Sequence, residues 1–327
     1  MRACWHRQSP LFSIFAILNI SLQNNMQLCT SLLLSLLPAA SPFAPTSALS
    51  SFAQKDRFAS PYTSRLSSSA PSDTGSDDFV APSGSAVDQL ESYKADLVSM
   101  CLASSKPGLE AVRRAVTDLE GQAEQAGLGQ ASTHSGLISG EWECIYSPED
   151  LTRTSPFFWA FRRAFPDSSD QIFGITDAIP APVKEAGPAY QTIDLDVSND
   201  GRSASGTLVS RVKVATLGGL ATSIMTTRTS VVGIDGLDGI RLKIESTKPE
   251  DSTILEKLGP LGEFVNTNGP PFPSGEALEK AQPGSSEVVM RTTFCDEGIR
   301  VSRNGDRFDE VFVWKRKAFG GADSVSV

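Results

Sequence analysis

SGEWECIYS, residues 139–147, is the stretch on which the reading of this chain turns. It stands where a polar, helical-looking region gives way to residues that alternate. Successive side chains of a strand point to opposite faces, so Gly140, Trp142, Cys144 and Tyr146 share one side and Glu141 and Glu143 the other. The stretch reads as a half-buried strand with one large aromatic inside. What Trp142 packs against is then the question for the rest of the sequence.

Upstream, VDQLESYKADLVSMCLA (87–103) spaces Val87, Leu90, Lys94, Leu97 and Cys101 as one helical face. SKPGLEAVRRAVTDLEGQAEQAG (105–127) repeats the pattern with Leu109, Val112, Val116 and Leu119. Ser105 and Pro107 mark its start and Gly127 its end. Downstream the chain reads as β. In QTIDLDVSN (191–199), Ile193, Leu195 and Val197 alternate with Asp194 and Asp196. GTLVSRVKVAT (206–216), TSIMTTRTSVVGI (222–234), IRLKIES (240–246), EVVMRTTFC (287–295), GIRVSRN (298–304) and EVFVWKRK (310–317) follow, most of them joined by short turns. With the Trp142 strand these make eight candidate strands, the pattern of an antiparallel barrel or sandwich preceded by two short amphipathic helices.

SPFFWAFRRAF (155–165) breaks the alternation. It packs Phe157, Phe158, Trp159 and Phe161 beside Arg162 and Arg163, and Phe158, Phe161 and Phe165 share a helical face after a Ser-Pro start. Two compatible readings stand: a plug that closes one end of a barrel, or a lid that meets a lipid surface with aromatic and Arg side chains.

The net charge of −9 is unevenly distributed. Residues 1–70 hold five basic residues and one acidic, leaving 24 basic and 37 acidic in the remainder, a net of −13. A body that acidic is a poor partner for nucleic acid, whose binding rests on phosphate neutralisation. The five Cys include no CxxC spacing, so neither a zinc site nor a disulfide framework is expected, and buried free thiols suit a reducing compartment.

The first 40 residues contain two apolar runs, 10–22 and 28–40, each shorter than the ~20 residues of a membrane span. The second resembles a signal-peptide core, and Met26 just before it is an alternative start. The segment 41–86 is rich in Ser, Ala and Pro and begins nearly free of acids, as a transit peptide followed by a polar linker would be. A signal core joined to such a segment, with Phe43 at the junction, matches the bipartite leader of secondary plastids, against an ordinary secretory signal with a linker. The remaining divisions are a helical region (87–127), a β domain (137–317) and a disordered tail (318–327).

From about residue 90 to 316 the chain resembles the plastid-lipid-associated proteins, or plastid fibrillins. The resemblance is carried by the helices ending in Leu119-Glu120 and by GEWECIYS as a Gly-x-Trp-x-x-x-Tyr strand. GPAYQTIDLDVSNDG and the closing run FCDEGIRVSRNGDRFDEVFVWKR complete the ordered set. It implies a lipocalin-like eight-stranded antiparallel barrel with Trp142 closing the floor and a late-strand Arg stacked on it. Arg300, Arg303 and Arg316 are the candidates for that Arg, and Gly140, Trp142, Tyr146 and Arg303 form the expected floor set. The family further implies a non-catalytic lipid-binding or structural protein at the stroma-facing thylakoid surface or plastoglobule. Its ligand would be a prenylquinone, carotenoid, fatty acid or galactolipid. SPFFWAFRRAF, residues 211–233 and residues 247–262 depart from the carotenoid-fibril members, so carotenoid storage is not carried over.

Catalytic, cofactor and metal sites are not expected. His134 stands alone in a Gly/Ser-rich stretch, and a catalytic base needs a nucleophile in reach and an orienting third group. SASGT (203–207) lacks the first Gly and the strand–turn–helix setting of a nucleophile elbow. LGGLA and GPLGE have no Lys-Ser/Thr and are not phosphate loops. In DLDVSND, alternation puts Asp194 and Asp196 on a solvated face. A plastoglobule coat without internal ligand, and an enzyme or accessory factor of lipid or quinone metabolism on the same scaffold, remain as alternatives. The sequence leaves the oligomeric state open.

Overall fold

The computed structural model describes residues 84–129, 136–180, 183–198, 201–216, 218–257 and 259–317. The leader and linker through residue 83, His134 and the tail 318–327 lie outside the described residues. The two expected helices are α1 (Gly84–Cys101) and α2 (Leu109–Ala126). Gly127 ends α2 in the left-handed conformation, its N–H returned to Ala123 and Glu124 carbonyls, as a C-terminal glycine cap does.

The rest is mainly β: β1 (Gly140–Tyr146), β2 (Lys184–Val197), β3 (Ala204–Thr216), β4 (Ala221–Asp235), β5 (Gly239–Glu250), β6 (Glu287–Cys295), β7 (Ile299–Asn304) and β8 (Arg307–Arg316). Each strand pairs antiparallel with the next, and β8 pairs back on β1, so the sheet closes into a ring. Cross-strand partners share a face. Trp142, Gln191, Ser210, Thr227 and, further round, Met290, Ser302, Phe312 and Trp314 therefore point inward.

The helices cover the outside. Leu90, Leu97 and Cys101 of α1 and Val112, Val116 and Leu119 of α2 bury against Tyr146, Phe294, Ile299, Val301, Val311 and Val313. Lys94, the cation in the α1 stripe, is accommodated by ion pairs to Asp296 and Glu91. Residues of β8 are thus buried on both faces, the odd positions under helices and the even ones in the lumen.

The wall is uneven in height. β2 to β5 run 14, 13, 15 and 12 residues, whereas β1 and β6 to β8 run 7, 9, 6 and 10. At about 3.3 Å per residue, the long strands stand well above the short ones at the end where β1 leaves and β2 enters. We call that end the mouth and the end at Gly140 and Arg316 the floor. Both long connections rise from the mouth. Residues 147–183 carry a 3₁₀ turn (Leu151–Thr154), α3 (Pro156–Ala164) and α4 (Ser169–Asp177); residues 251–286 carry α5 (Thr253–Glu256), α6 (Pro260–Asn268) and α7 (Ser274–Ala281). Past Lys243, the β5 edge left by β6 is covered by Ser286 and by a two-bond bridge between Thr247 and Phe272.

β2 starts seven residues earlier than the alternation in QTIDLDVSN indicates. Gly187 and Pro188 interrupt the pattern, and the register shifts between Ala186 and Ala189. A bulge accommodates a proline, which has no N–H for the ladder. Gly187 itself has φ +123, and a Cβ there would collide with Leu151 of the 3₁₀ turn.

Leu97 has no exposed surface and joins α1 to the sheet, so Leu97→Ala should destabilise the fold by about 2–5 kcal/mol in urea unfolding. A loss under about 0.5 kcal/mol would mean that α1 does not pack on the barrel.

Candidate functional site

Inside the floor, the Trp142 indole donates to the Ile138 carbonyl at 2.9 Å. Two guanidiniums lie over its ring, Arg316 at 4.1 Å and Arg300 at 5.1 Å. Arg300 also lies 4.8 Å from the Trp314 ring. Arg316 donates to the carbonyls of Ser139, Leu137 and Glu297, which closes the barrel end. Its Nη1 crosses over Gly140, where any Cβ would strike it, and Gly140 has φ +133. The glycine two positions before the tryptophan is therefore required by the arginine that closes the floor.

Two members of the expected floor set lie elsewhere. Arg303 has the parity of the outer face of β7, beside Ile299 and Val301. It pairs with Glu120 of α2 at 2.9 Å and lies 4.7 Å from the Phe308 ring. Arg300 and Arg316 take the role assigned to it. Tyr146 is at the mouth end of β1, and the register shifts between Cys144 and Tyr146. Cys144 opposes Trp314 in the lumen, while Tyr146 opposes Val313 and packs under the helices. The bulge reverses the face that strict alternation assigns.

Arg300 is fully buried, and among the described residues it meets no carboxylate. Its Nη2 donates to Gln191 Oε1 at 2.6 Å, its Nη1 lies 4.0 Å from Met290 Sδ, and its Nε has no partner there. Burial pulls this guanidinium down to about 9. Burial also pushes the thiols of Cys101 and Cys144 up to about 12 and that of Cys295 up to about 11, so these cysteines are neutral near pH 7.

The mouth is closed by the segment from the 3₁₀ turn through α4. Gln191, which accepts from Arg300, donates its Nε2 to the Thr154 carbonyl at 3.1 Å. Ser155 Oγ meets Thr227 Oγ1 at 3.0 Å, and the Trp159 ring lies 5.6 Å from Phe312. Trp159 is 2 % exposed, and its indole donates to the Arg153 carbonyl. On the other side of α3, Phe158 and Phe161 pack on Phe173 of α4, Phe157 packs on both, and Phe165 on Phe161. Arg153 and Arg162 also lie over Phe173, at 3.9 and 4.9 Å.

Of the six candidate lipid contacts, Trp159, Phe161 and Arg162 are buried, Phe157 and Phe158 half-buried, and Arg163 alone exposed. Arg162 is held by Glu149 at 2.6 Å and Glu310 at 3.0 Å. Arg163 donates to the Glu287 carbonyl and faces Asp306. Burial pushes the Glu310 carboxyl upward against the opposing pull of Arg162. The segment is a plug in this structure, and its cations are committed to protein carboxylates and carbonyls.

Above the plug, the inner face of the tall wall carries Ala186, Val214, Ser223, Met225, Thr247 and Pro249, all half-buried. Around the mouth, Ile175, Val183, Leu220 and Phe264 are exposed apolar side chains. These four were not singled out from sequence, since isolated apolar residues in short helices and turns carry no periodic signal. Among the described residues, no group of three or more His, Cys, Asp or Glu is placed to hold a metal ion. Neither a family model, nor a curated protein, nor a solved structure matches this chain.

Gln191→Leu strands Arg300 Nη2 and the Thr154 carbonyl together, and should cost about 3 kcal/mol in urea unfolding, the scale of an orphaned partner of a buried charge. Arg300→Met should cost less, because it removes the buried charge instead of stranding it. The reverse order would show that Arg300 has a counter-ion.

Asp150 caps the 3₁₀ turn, accepting from Thr152 N at 2.9 Å and Thr152 Oγ1 at 2.6 Å, and pairs with Lys184. Burial alone would raise its pKa; these bonds and Lys184 outweigh that and hold it below the usual carboxylate value. A depressed folded value stabilises above the unfolded pKa of ~3.9, and this stability is lost as pH falls through the folded value. Asp150→Asn should therefore flatten the stability–pH curve below about pH 4. An unchanged acid limb would exclude Asp150 as the plug's anchor.

Proposed function

We propose that this protein is a non-catalytic lipid-binding barrel, a divergent relative of the plastid-lipid-associated proteins with a lipocalin-like fold. Its place would be the stroma-facing thylakoid surface or the plastoglobule, as the leader composition suggests. The observation that carries this reading is the way the mouth is closed. The lumen below it is lined by Leu208, Val212, Leu242, Ile244, Val288, Met290 and Phe312, and one aromatic side chain of a separate helix, Trp159, packs on the last of these. Small binding sites are concave and mostly apolar, with a few placed polar groups. Here those groups are Gln191, Ser210, Thr227 and Ser302. Withdrawal of α3 would expose this lining to the half-buried wall above it, giving a small hydrophobic lipid both a path and a seat. A prenylquinone, carotenoid, fatty acid or galactolipid has the required character.

A second reading, a peripheral protein of the lipid surface without internal ligand, is favoured by the exposed Ile175, Val183, Leu220 and Phe264 around the mouth. No helix among the described residues is long and apolar enough to cross a membrane, so association through such side chains would be peripheral where helices are concerned.

Protein purified without detergent should yield a near-stoichiometric apolar lipid on organic extraction and mass spectrometry. Readdition of that lipid to delipidated protein should change the emission of the buried Trp159, an effect lost in Trp159→Phe. Clean extracts together with unchanged emission on titration of all four lipid classes would dismiss the internal ligand and leave the surface reading.

A further inference from the structure

On the outer face of β4 and β5, Arg228 opposes Ser246 and Thr226 opposes Lys248. Thr227 and Thr247, between them, point inward with the lumen residues. The segment after α6 runs along the β5 edge beside this face, pinned by the two bonds between Phe272 and Thr247 at 3.0 and 2.8 Å. Thr226, Arg228, Ser246, Lys248, Glu250 and Pro271 thereby enclose a groove of about 200 Å³.

Its charges are unevenly used. Glu250 lies at one end, opposite Ile224, and accepts the Thr226 hydroxyl at 2.5 Å. Lys248 gives one N–H to the Thr267 carbonyl of α6 at 3.1 Å. Arg228 is exposed, and among the described residues its guanidinium has neither a hydrogen bond nor a carboxylate. Arg228 and Lys248 are diagonal neighbours on one face, ~7–8 Å apart at the backbone. Two like charges so placed repel each other unless an anion lies between them. A planar guanidinium fork, an ammonium and the Ser246 hydroxyl together suit the tetrahedral oxygens of a phosphate or sulfate ester.

The surroundings supply the apolar half of such a ligand. Phe264 is 61 % exposed and sits one helical turn before Thr267, whose carbonyl holds Lys248. Leu220, 71 % exposed, lies in the β3–β4 turn, which Lys257 fastens to the same helical connection. Exposed apolar side chains beside a cationic recess are the arrangement of a peripheral membrane contact.

We infer that this groove binds the anionic headgroup of a membrane lipid, with Arg228, Lys248 and Ser246 holding the phosphate or sulfate ester and Phe264 entering the apolar layer. It is separate from the lumen, since its lining faces outward. It rests on the proposed lipid association for the source of the anion, and it assigns surface contact to β4, β5 and α6 in place of α3.

The test is co-flotation of the full chain with vesicles of neutral phosphatidylcholine, with and without phosphatidylglycerol. The wild-type protein should float only with the anionic vesicles. Arg228→Gln with Lys248→Gln should weaken that binding about thirtyfold, the weight of two basic contacts at a charged surface. Phe264→Ser should weaken it as well, and Lys280→Gln, an exposed cation elsewhere, should not. Far-UV circular dichroism checks that each variant is folded. Undiminished flotation of the folded double variant overturns the proposal. So does saturable binding of inorganic phosphate or sulfate, lost in that variant, by a wild-type protein that ignores anionic vesicles. Co-purified apolar lipid separates the two sites: its retention in a double variant that no longer floats supports the groove. If no lipid co-purifies but flotation still requires Arg228 and Lys248, the groove stands and the internal ligand falls.

Discussion

Arg300 carries a positive charge into the lumen at a point where no carboxylate of the described residues meets it, and the interior is arranged around that fact. A buried ion without a counter-ion is costly, and the compensation here is spread over two indole faces, one amide oxygen and a thioether. Each indole must be held edge-on by its own N–H, and each is: Trp142 by the Ile138 carbonyl and Trp314 by Ser302 Oγ at 2.8 Å. The floor is thus one stack, Arg316–Trp142–Arg300–Trp314, in which every member fixes the next. Glycine at 140 is a consequence of it, because Arg316 needs the space.

Gln191 extends this constraint to the mouth. Its amide has one oxygen for Arg300 and one NH₂ for Thr154, so its orientation is set from both ends. The plug is then held at three levels: by Gln191 below, by Ser155 and Trp159 against Thr227 and Phe312, and by Arg162 between Glu149 and Glu310 at the rim. The last is ionic, and charge also ties the plug to the wall where Asp150 meets Lys184 and Asp170 meets Arg307 of β8. Glu310 is 6 % exposed and already pushed toward its neutral form by burial, which makes the rim the level most sensitive to what replaces water around it.

What the sequence could tell divides along the same lines. EVVMRTTFC coincides with its element to the residue, although a register shift between Thr292 and Phe294 changes its parity, and both amphipathic helices bury the faces that their spacing marks. Failures came where a bulge changes parity or where the partner is remote. Tyr146 follows Trp142 by an even number and still faces outward, because one residue of β1 goes unpaired. Arg303 and Arg300 differ by an odd number, and parity alone separates a helix clamp from a floor stack; nothing local marks which parity is inside. Arg162 beside four aromatics has the composition of a membrane contact, and only Glu149 and Glu310, 13 and 148 positions away, make it a buried ion pair. The three helices of 251–286 are 4, 9 and 8 residues long, too short for periodicity to announce.

The division of charge follows from these placements. Among the arginines inside or at the rim, Arg162 is paired with Glu149 and Glu310, whereas Arg300 and Arg316 keep their charge against indole faces and carbonyl or amide oxygens. Acids on the solvated strand faces, such as Asp194 and Asp196, are exposed, and the chain beyond residue 70 carries a net −13. Non-specific attraction to an anionic surface is then weak everywhere. A contact with such a surface must come from a local cluster within about a Debye length, ~10 Å at moderate salt, where nearby acids are few or engaged. Arg228 and Lys248 form such a cluster, two cations against the one carboxylate of their groove, Glu250, which is bonded to Thr226. Under the proposed lipid contact, the orientation of the protein would follow from these two cations on the outer face of β4 and β5.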